Sequence, residues 1–266
     1  MQLPARIGKY ELLQYLGGRI AEVYRALDLR LPRRVAFKIL SEPAAADEET
    51  RSRMIAEGRL LSGLSHENIV SLYDYGEEDG RPYLALEYLD GESLREAIRG
   101  GRTGSLRNKL LIARQIATAL AHVHSRRIIH RDLKPDNVHI DSAGVVKLMD
   151  FGIAKNGELS LTGTGFTVGT PYYMAPEQIR GLKPTHLVDV YGFGVLLFEL
   201  FSGIMPFQGG NVDEIFDRIL HQPADFSVLQ VPPALNDLIR AAMEKDPALR
   251  PPDMAAILRT IDELLG

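Results

Sequence analysis

The sequence predicts an α+β chain in two parts, in which a strand-rich first third is followed by a helical remainder. Three apolar and β-branched runs, Tyr10–Leu16, Glu22–Leu27 and Arg34–Leu40, are typical of strands. From Leu106 onwards the apolar residues recur at helical spacing instead. This change of period indicates two lobes, with a boundary near residues 89–91.

The other predicted elements follow the same patterns. A turn of small residues at 43–46 precedes a predicted helix at 48–64. Two more strands are predicted at 69–75 and 83–88, separated by the turn at 77–80. A glycine-rich loop at 100–104 precedes the helix that starts at Leu106. Further helices are predicted at 187–202, 212–220, 233–244 and 253–264.

The composition excludes several classes of site. The 266 residues carry a net charge of −4, which gives no reason to expect nucleic acid or an anionic membrane surface as a partner. The chain has no cysteine, so disulfides, thiolate metal sites and cysteine nucleophiles are excluded. Hydrophobic residues make up 45% of the sequence, and 266 residues are enough to bury a sizeable core.

The most apolar run does not predict a membrane span. Residues 187–201 include Asp189 and Glu199, and the run is shorter than the ~20 residues that a bilayer requires. We interpret it as a buried helix of a globular core. Residues 1–9 lack the apolar core of a signal peptide. We therefore expect no membrane insertion by this segment and a cytoplasmic location, which includes the cytoplasmic domain of a larger protein.

The strongest chemical pattern lies in the helical part. The run His130–Asn137 is followed by Asp150-Phe151-Gly152, with Asp150 placed 18 residues after Asp132. Asp132 is a candidate for accepting the proton of a substrate hydroxyl. Asn137 and Asp150 offer the oxygen ligands that Mg²⁺, or Mn²⁺, prefers. Phosphoryl transfer needs charge neutralised around phosphates more than it needs a strong nucleophile.

A lysine in the strand-rich part completes the set. Lys38 ends the strand motif Val35–Lys38, and Glu57 follows 19 residues later in the predicted helix 48–64. Such a Lys–Glu pair is typical of a site that holds the α- and β-phosphates of ATP. Taken alone, the two residues would fit a solvated surface pair better. It is the order and spacing of all these motifs that favour phosphoryl transfer.

On these motifs the sequence resembles the eukaryotic-type (Hanks) serine/threonine protein kinase family. The resemblance runs from Tyr10 to about Leu264, and the runs 10–17 and 26–31 are most similar to bacterial members. It implies a two-lobed protein kinase fold with a small β-rich N-lobe, about 10–89, and a larger helical C-lobe, about 90–264. It also implies an ATP site between the lobes and transfer of phosphate to protein substrates.

The resemblance assigns the binding residues one by one. Lys38 and Glu57 hold the phosphates, Asn137 and Asp150 bind the metal, and Asp132, Lys134 and Asn137 form the catalytic loop. Leu86 is the gatekeeper, while Glu87 and Leu89 offer backbone hydrogen bonds to adenine. The remaining nucleotide contacts are assigned to Leu16, Gly17, Gly18, Val23, Ala36 and His139. His139 departs from the family pattern, which has an apolar residue there, and we interpret it as a half-buried imidazole in van der Waals contact.

Other implied roles concern protein substrates. Lys134 indicates serine/threonine rather than tyrosine substrates. The segment Gly169–Glu177 resembles the docking segment of protein kinases, in which Thr170 bonds the catalytic Asp and Lys and Glu177 pairs with a late arginine, here Arg250. By the same resemblance, Asp189 ties the catalytic loop to the buried helix.

The hydroxyl-rich segment before this docking segment is either an ordinary polar loop or an activation loop. The resemblance favours autophosphorylation at Thr162 and Thr164, followed by Thr167 and Ser160. Arg131 is placed to pair with a phosphothreonine.

Similar bacterial kinases dimerise through the N-lobe, and the matching positions here are Lys9, Leu31 and Asp74. We expect an ion pair between Lys9 of one subunit and Asp74 of the other, next to the apolar Leu31. The alternative is an exposed ion pair of little energetic worth and one exposed leucine, both common on protein surfaces.

The phosphate-covering loop departs from the family pattern G-x-G-x-x-G-x-V. The chain has Gly17-Gly18-Arg19-Ile20-Ala21-Glu22-Val23, which is one residue shorter and has Ala21 in place of the third glycine. A pseudokinase that acts as a binding module therefore stays open beside the active enzyme, and phosphate transfer from Mg-ATP to any protein would separate them. A small-molecule kinase is a third hypothesis, against which the segment Gly169–Glu177 argues.

Overall fold

The computed structural model describes residues 3–151 and 171–266. The chain divides into two compact units that meet at Asp90 and Gly91. The first unit is mostly sheet and the second mostly helix, which confirms the predicted α+β class. The strands are β1 (Ala5–Ile7), β2 (Tyr10–Gly17), β3 (Ala21–Asp28), β4 (Arg33–Leu40), β5 (Leu72–Glu78), β6 (Arg81–Glu87), β7 (Glu92–Ser93), β8 (Val138–Ile140) and β9 (Val146–Leu148).

The first unit is built on one antiparallel sheet with the strand order β1-β2-β3-β4-β6-β5. Side chains alternate between its two faces, so Val35, Phe37 and Ile39 of β4 point to one face and Ala36 and Lys38 to the other. The first face carries the aromatic core, where the ring of Phe37 lies 4.9 Å from that of Tyr10 and 4.9 Å from that of Tyr83.

The opposite face of the sheet receives a helix. The described residues of this unit form two helices, the short α1 (Glu42–Ala45) and the longer α2 (Glu48–Ser62). Asp47 begins α2 by accepting a hydrogen bond from the backbone N–H of Thr50. Met54 of α2 packs with Leu40 and Leu84 in a buried cluster on this face. The helix is thereby fixed over the same face that carries Lys38.

Two predicted strands in the first unit have wrong boundaries. The strand expected at 69–75 lies at 72–78, and the strand expected at 83–88 begins at Arg81. The reason is the turn, because Asp79 and Gly80 both have positive φ values, 49° and 74°. That conformation closes a two-residue hairpin, so both strands extend further towards the turn than predicted.

The turn predicted at 43–46 is in fact the one-turn helix α1. Pro43 occupies one of its first positions, where its missing N–H costs nothing. The structure also contains β1, the helix at 94–99 and the small sheet of the second unit, which the sequence patterns did not predict.

The second unit combines helices with a three-stranded antiparallel sheet in the order β7-β8-β9. The predicted helices are confirmed to within two residues at their ends. Its helices are α3 (Leu94–Arg99), α4 (Leu106–Ser125), α5 (Pro176–Ile179), α6 (Leu187–Ser202), α7 (Val212–His221), α8 (Pro233–Ala242) and α9 (Met254–Leu265).

Helix α6 is the centre of this unit. Its residues from Val188 to Leu200 are all buried, which confirms the interpretation of the apolar run as a core helix. The helix ends at Gly203, whose φ of 78° gives the left-handed C-terminal turn that glycine favours. Within the described ranges, no helix combines the length and the apolar character needed to cross a bilayer.

A buried ion pair joins the start of α5 to the segment before α9. The Nη1 and Nη2 atoms of Arg250 donate to the two carboxylate oxygens of Glu177, at 2.7 and 2.8 Å. Arg250 also donates to the carbonyls of Leu187 and Glu244, at 2.9 and 2.8 Å, and its side chain has no exposed surface. The pairing expected from the resemblance is therefore present, and it is bidentate and reinforced by backbone carbonyls.

Replacing Arg250 by Met should lower the free energy of unfolding by about 3–5 kcal/mol, because the buried Glu177 carboxylate would lose its partner. Urea unfolding monitored by circular dichroism measures this. Arg114→Met is the matched control: it breaks the half-exposed pair with Asp262 and should cost less than about 1 kcal/mol. Equal losses in the two variants would contradict the account.

Candidate active site

The first unit places a lysine and a glutamate together on the helix-covered face. The Nζ atom of Lys38, on β4, lies 3.1 and 3.2 Å from the two carboxylate oxygens of Glu57, on α2. Both side chains are largely buried, with 20% and 13% of their surfaces exposed. The pair that the sequence suggested is therefore formed, and it is shielded from solvent far more than an ordinary surface pair.

Three of the predicted adenine contacts share this face of the sheet. Val23 is paired directly with Lys38 across β3 and β4, and Leu86 is paired with Ala36 across β4 and β6. Directly paired residues of neighbouring strands project to the same face, as do residues two apart on one strand. Val23, Ala36 and Leu86 therefore form an apolar surface next to Lys38.

The strands β2 and β3 form the predicted hairpin, and residues 18–20 make the turn between them. Gly17 pairs with Val23, and a register shift separates this pair from the pair formed by Tyr15 and Tyr24. Gly17 and Gly18 have φ values of 139° and 106°. A Cβ on Gly18 would lie 1.9 Å from the carbonyl oxygen of Ala21, so the tight turn requires glycine there.

Two more features mark this turn. The hydroxyl of Tyr15 donates to the carbonyl of Gly18 at 2.6 Å, which braces the turn against β2. Leu16 and Ile20 are exposed, at 46% and 65%.

The segment that leaves β6 is held by backbone and side-chain bonds. The N–H of Glu87 donates to the carbonyl of Ser71 at 2.8 Å, and the N–H of Ser71 donates to the Glu87 carboxylate at 3.1 Å. The backbone N–H of Glu87 is thus committed within the fold. Leu89 is half-buried, and Asp90 pairs with Arg34 at 2.9 Å.

In the second unit, the loop between α4 and β8 brings three predicted residues into contact. The Nζ atom of Lys134 lies 3.1 Å from Oδ2 of Asp132. The Nδ2 atom of Asn137 donates to Oδ2 of Asp132 at 3.1 Å and to its backbone carbonyl at 2.8 Å. These bonds fix the orientation of the Asp132 carboxylate and leave the Asn137 amide oxygen on the opposite side of the amide group.

His130 is a buried residue that supports this loop by hydrogen bonds at both ring nitrogens. Its Nδ1 accepts the backbone N–H of Asp132 at 3.3 Å, and its Nε2 donates to the carbonyl of Met149 at 3.0 Å. One ring nitrogen must accept while the other donates, so the ring is the neutral Nε2–H tautomer. Burial lowers the pKa of His130, which favours the same neutral form. The ring also packs against Phe151, with a centroid distance of 4.8 Å.

Asp189, at the start of α6, holds the same loop by its backbone. Its two carboxylate oxygens accept the N–H groups of His130 and Arg131, both at 2.8 Å, and Oδ2 also lies 2.7 Å from Nε2 of His124. The role expected of Asp189 is thereby confirmed. The contact with His124 was missed, because 65 residues of sequence separate the two and no pattern links them.

The two predicted metal ligands lie at the ends of one hairpin. Asn137 precedes β8 and Asp150 follows β9, and the N–H of Met149 donates to the carbonyl of Asn137 at 2.9 Å. Asp150 has a φ of 48°, an uncommon value for a residue that is not glycine. Among the described residues no group of three or more His, Asp or Glu side chains could hold a metal by itself. One carboxylate and one amide oxygen suit Mg²⁺ that takes its other ligands from phosphate and water.

His139 lies on β8, paired with Lys147 and Ser93. Its ring is half-buried, and its Nε2 atom is buried without a hydrogen-bond partner among the described residues. A Cβ placed on Gly91 would lie 3.1 Å from this Nε2 atom, so the imidazole packs closely against the backbone of Gly91.

The hydroxyl residues singled out in the sequence lie outside the described residues: Thr162, Thr164, Ser160, Thr167 and Thr170.

Comparison with known proteins gives consistent matches. The protein kinase domain family matches residues 10–260 of the chain. The chain is 39% identical to the serine/threonine-protein kinase PrkC of Bacillus subtilis, over 95% of this chain and 40% of that protein. It is 38% identical to the serine/threonine-protein kinase PknA of Mycobacterium tuberculosis, over 91% of this chain and 58% of the relative. The chain therefore spans about 40–60% of the length of these relatives.

Replacing Asp189 by Asn should weaken the hydrogen bonds that protect the backbone N–H groups of His130 and Arg131 from exchange with solvent. The amide keeps one acceptor oxygen and turns an NH₂ group towards the second N–H, so hydrogen bonds to a charged acceptor worth about 1.5–3 kcal/mol each are weakened. Hydrogen–deuterium exchange followed by NMR should show faster exchange at the amides of His130 and Arg131.

Asp253→Asn serves as the control, because Asp253 accepts one N–H at the start of α9 and Asn caps a helix as well as Asp does. Unchanged exchange at His130 and Arg131 in Asp189→Asn would show that Asp189 does not hold the loop.

Proposed function

Because the chain belongs to the protein kinase family, we propose that it transfers the γ-phosphate of ATP to serine and threonine hydroxyls of proteins. The observation that carries this proposal is the cluster of Asp132, Lys134 and Asn137 on a loop anchored to a buried helix. The formed pair of Lys38 and Glu57 supports it. The similar bacterial proteins carry the name serine/threonine-protein kinase.

The side chains of the catalytic loop have separate tasks in this reaction. Asp132 orients the substrate hydroxyl and accepts its proton as the hydroxyl oxygen bonds to the γ-phosphorus and ADP leaves. Asn137 holds the Asp132 carboxylate in place through Nδ2. Lys134, 3.1 Å from the same carboxylate, supplies positive charge beside the transferred phosphoryl group.

Protein kinases use ATP together with a divalent metal ion, generally Mg²⁺, which neutralises the phosphate charge when it is bound. The residues present suit that group: Asn137 and Asp150 are the proposed ligands. In the first unit, Lys38 is the proposed phosphate contact, oriented by Glu57, and Gly17, Gly18 and Leu16 cover the nucleotide. ATP as the phosphate donor is consistent with action in the cytoplasm.

We assign adenine to the apolar residues of the sheet and to the segment after β6. In the first unit, Val23, Ala36 and Leu86 are the proposed apolar contacts, and in the second unit His139, on β8, is proposed separately as a nucleotide contact. Since the N–H of Glu87 is already bonded to Ser71, its carbonyl is the group proposed to meet adenine, together with the backbone of Leu89. The kinase domain is proposed to comprise residues 10–264.

The pseudokinase hypothesis finds no support in these comparisons, since the relatives are named as kinases. Within the described residues, each acidic, basic and amide side chain assigned to the chemistry is present. We expect the shortened turn at Gly17–Ala21 to offer fewer backbone N–H groups to phosphate, and so to weaken ATP binding while catalysis is retained.

Asp132→Asn should keep Mg-ATP binding but lower phosphate transfer by about 100-fold or more, because the proton acceptor is lost. Asp150→Asn should weaken Mg-ATP binding as well. Calorimetry with Mg-ATP and transfer of labelled phosphate measure the two effects. Asp217→Asn, on the exposed face of α7, is the control and should change neither. Near wild-type transfer by Asp132→Asn would refute the assignment of the base.

Incubation with Mg-ATP should place phosphate on Thr162 and Thr164 first, and on Thr167 and Ser160 next. Peptide mapping by mass spectrometry identifies the sites, and a variant with alanine at both 162 and 164 should lose most of the phosphate. Thr170→Ala should lower activity without removing a site. Phosphate found only outside residues 156–168 would contradict this prediction.

We further propose that the chain forms a homodimer through its N-lobe, around the exposed Leu31. In the structure, Lys9 pairs with Asp74 of the same chain at 2.8 Å, and Asp74 also accepts the hydroxyl of Tyr10 at 2.9 Å. The intersubunit pair would require Lys9 to exchange partners. Leu31→Asp should shift the dimer to monomer in sedimentation. A wild-type chain that stays monomeric at high concentration would exclude this dimer.

A further inference from the structure

Arg95, on α3, lies at the centre of a polar cluster near the catalytic loop. Its Nε and Nη2 atoms lie 3.2 and 3.1 Å from Oδ2 of Asp136. Its Nη1 atom pairs with the carboxylate of Glu199 on α6, and its Nη2 atom donates to the hydroxyl of Tyr173 at 2.7 Å. The Tyr173 hydroxyl in turn donates to Glu199. One guanidinium thus connects four separate segments of the second unit.

The burial of this cluster makes the guanidinium necessary. The side chains of Arg95 and Glu199 are 12% and 7% exposed, whereas that of Asp136 is 44% exposed. Removing a charge from water is costly unless it is paired and hydrogen-bonded, and here the planar guanidinium donates to both carboxylates and to the phenol. The Glu199 contact therefore stabilises the fold, while the half-exposed Asp136 contributes little by its own burial.

Asp136 has a different importance, because it lies in the turn that carries a catalytic side chain. Pro135, Asp136 and Asn137 form one 3₁₀ turn, in which the N–H of Asn137 donates to the carbonyl of Lys134 at 3.0 Å. Asn137 then donates to Asp132 and, through its carbonyl, receives the N–H of Met149 next to Asp150. Holding Asp136 from α3 fixes the turn from outside and so fixes Asn137.

We propose that Arg95 is a positioning residue for phosphate transfer, which acts by holding Asp136 and thereby fixing Asn137, the residue that bonds to Asp132 and would serve as a metal ligand. The inference rests on the proposed function of the chain. It gives Arg95 two separable roles: the contact with Glu199 supports the fold, and the contact with Asp136 supports the reaction.

The test uses Asp136→Ala, because this change removes the grip on the turn and keeps the buried pair of Arg95 and Glu199. The turnover rate should fall by about 10- to 100-fold, as it does when an outer partner of a catalytic or metal-binding group is lost. The melting temperature should stay close to that of the wild type. Hydrogen exchange at the amides of Asn137 and Met149 should become faster.

Arg95→Met and the double variant Arg95→Met/Asp136→Ala complete a cycle. If Arg95 acts through Asp136, the double variant should be no slower in turnover than Arg95→Met, although both should melt at a lower temperature. Arg102→Ala is the matched control, since Arg102 lies just after α3, is exposed and pairs with a different carboxylate, that of the half-buried Glu92. That variant should match the wild type in turnover and in exchange at Asn137.

Three outcomes would overturn the inference. They are wild-type turnover in Asp136→Ala, turnover losses that multiply in the double variant, and unchanged exchange at Asn137 and Met149. A wild-type chain that transfers no phosphate would instead refute the proposed function. In that case the exchange measurement alone still decides whether Arg95 and Asp136 hold the turn.

Discussion

The second unit depends on a single carboxylate that bonds to the backbone of a loop. Asp189 sits at the start of the most deeply buried helix and accepts two successive backbone N–H groups, those of His130 and Arg131. The backbone of Arg131 has a φ of 64°. A residue other than glycine keeps this conformation only when its surroundings enforce it. Two charge-assisted bonds, each worth about 1.5–3 kcal/mol, are sufficient to stabilise that backbone. The positions of the Asp132 carboxylate and the Asn137 amide, which follow in the loop, depend on this backbone.

Successive contacts connect this loop to the β8–β9 hairpin. His130 bonds to the carbonyl of Met149. Asn137 bonds to Asp132 and also accepts the N–H of Met149, so it joins Asp132 to the β8–β9 hairpin. Asp150 follows Met149 in the sequence. In the first unit, the strand register positions the assigned side chains, because it places Val23, Ala36 and Lys38 on one face under α2. Lys38 and Glu57 lie on regular elements, and Asp132 is bonded to Asn137 in the 3₁₀ turn, which limits the motion of these side chains.

Much of this arrangement follows from the sequence, because the decisive patterns are local. The change from strand to helix periodicity, the run His130–Asn137 and the apolar run of α6 each specify an element by its own residues. The hairpin at Asp79 and Gly80 was misplaced because two positive φ values close a shorter turn than composition suggests. The short strands β7–β9 were missed because strands of two or three residues carry no measurable period. The contacts of His124 and Arg95 depend on residues 65 and 104 positions away, which no local pattern encodes.

The central claim is that this chain catalyses phosphate transfer and does not merely bind nucleotide. Its most direct test is incubation of the purified chain with γ-labelled Mg-ATP, alone and with a generic protein substrate, beside Lys38→Met. The wild-type reaction should place label on serine and threonine, and Lys38→Met should transfer at least 100-fold less, because its proposed phosphate contact is gone. Tight Mg-ATP binding without transfer to any protein would contradict the account and identify the chain as a binding module.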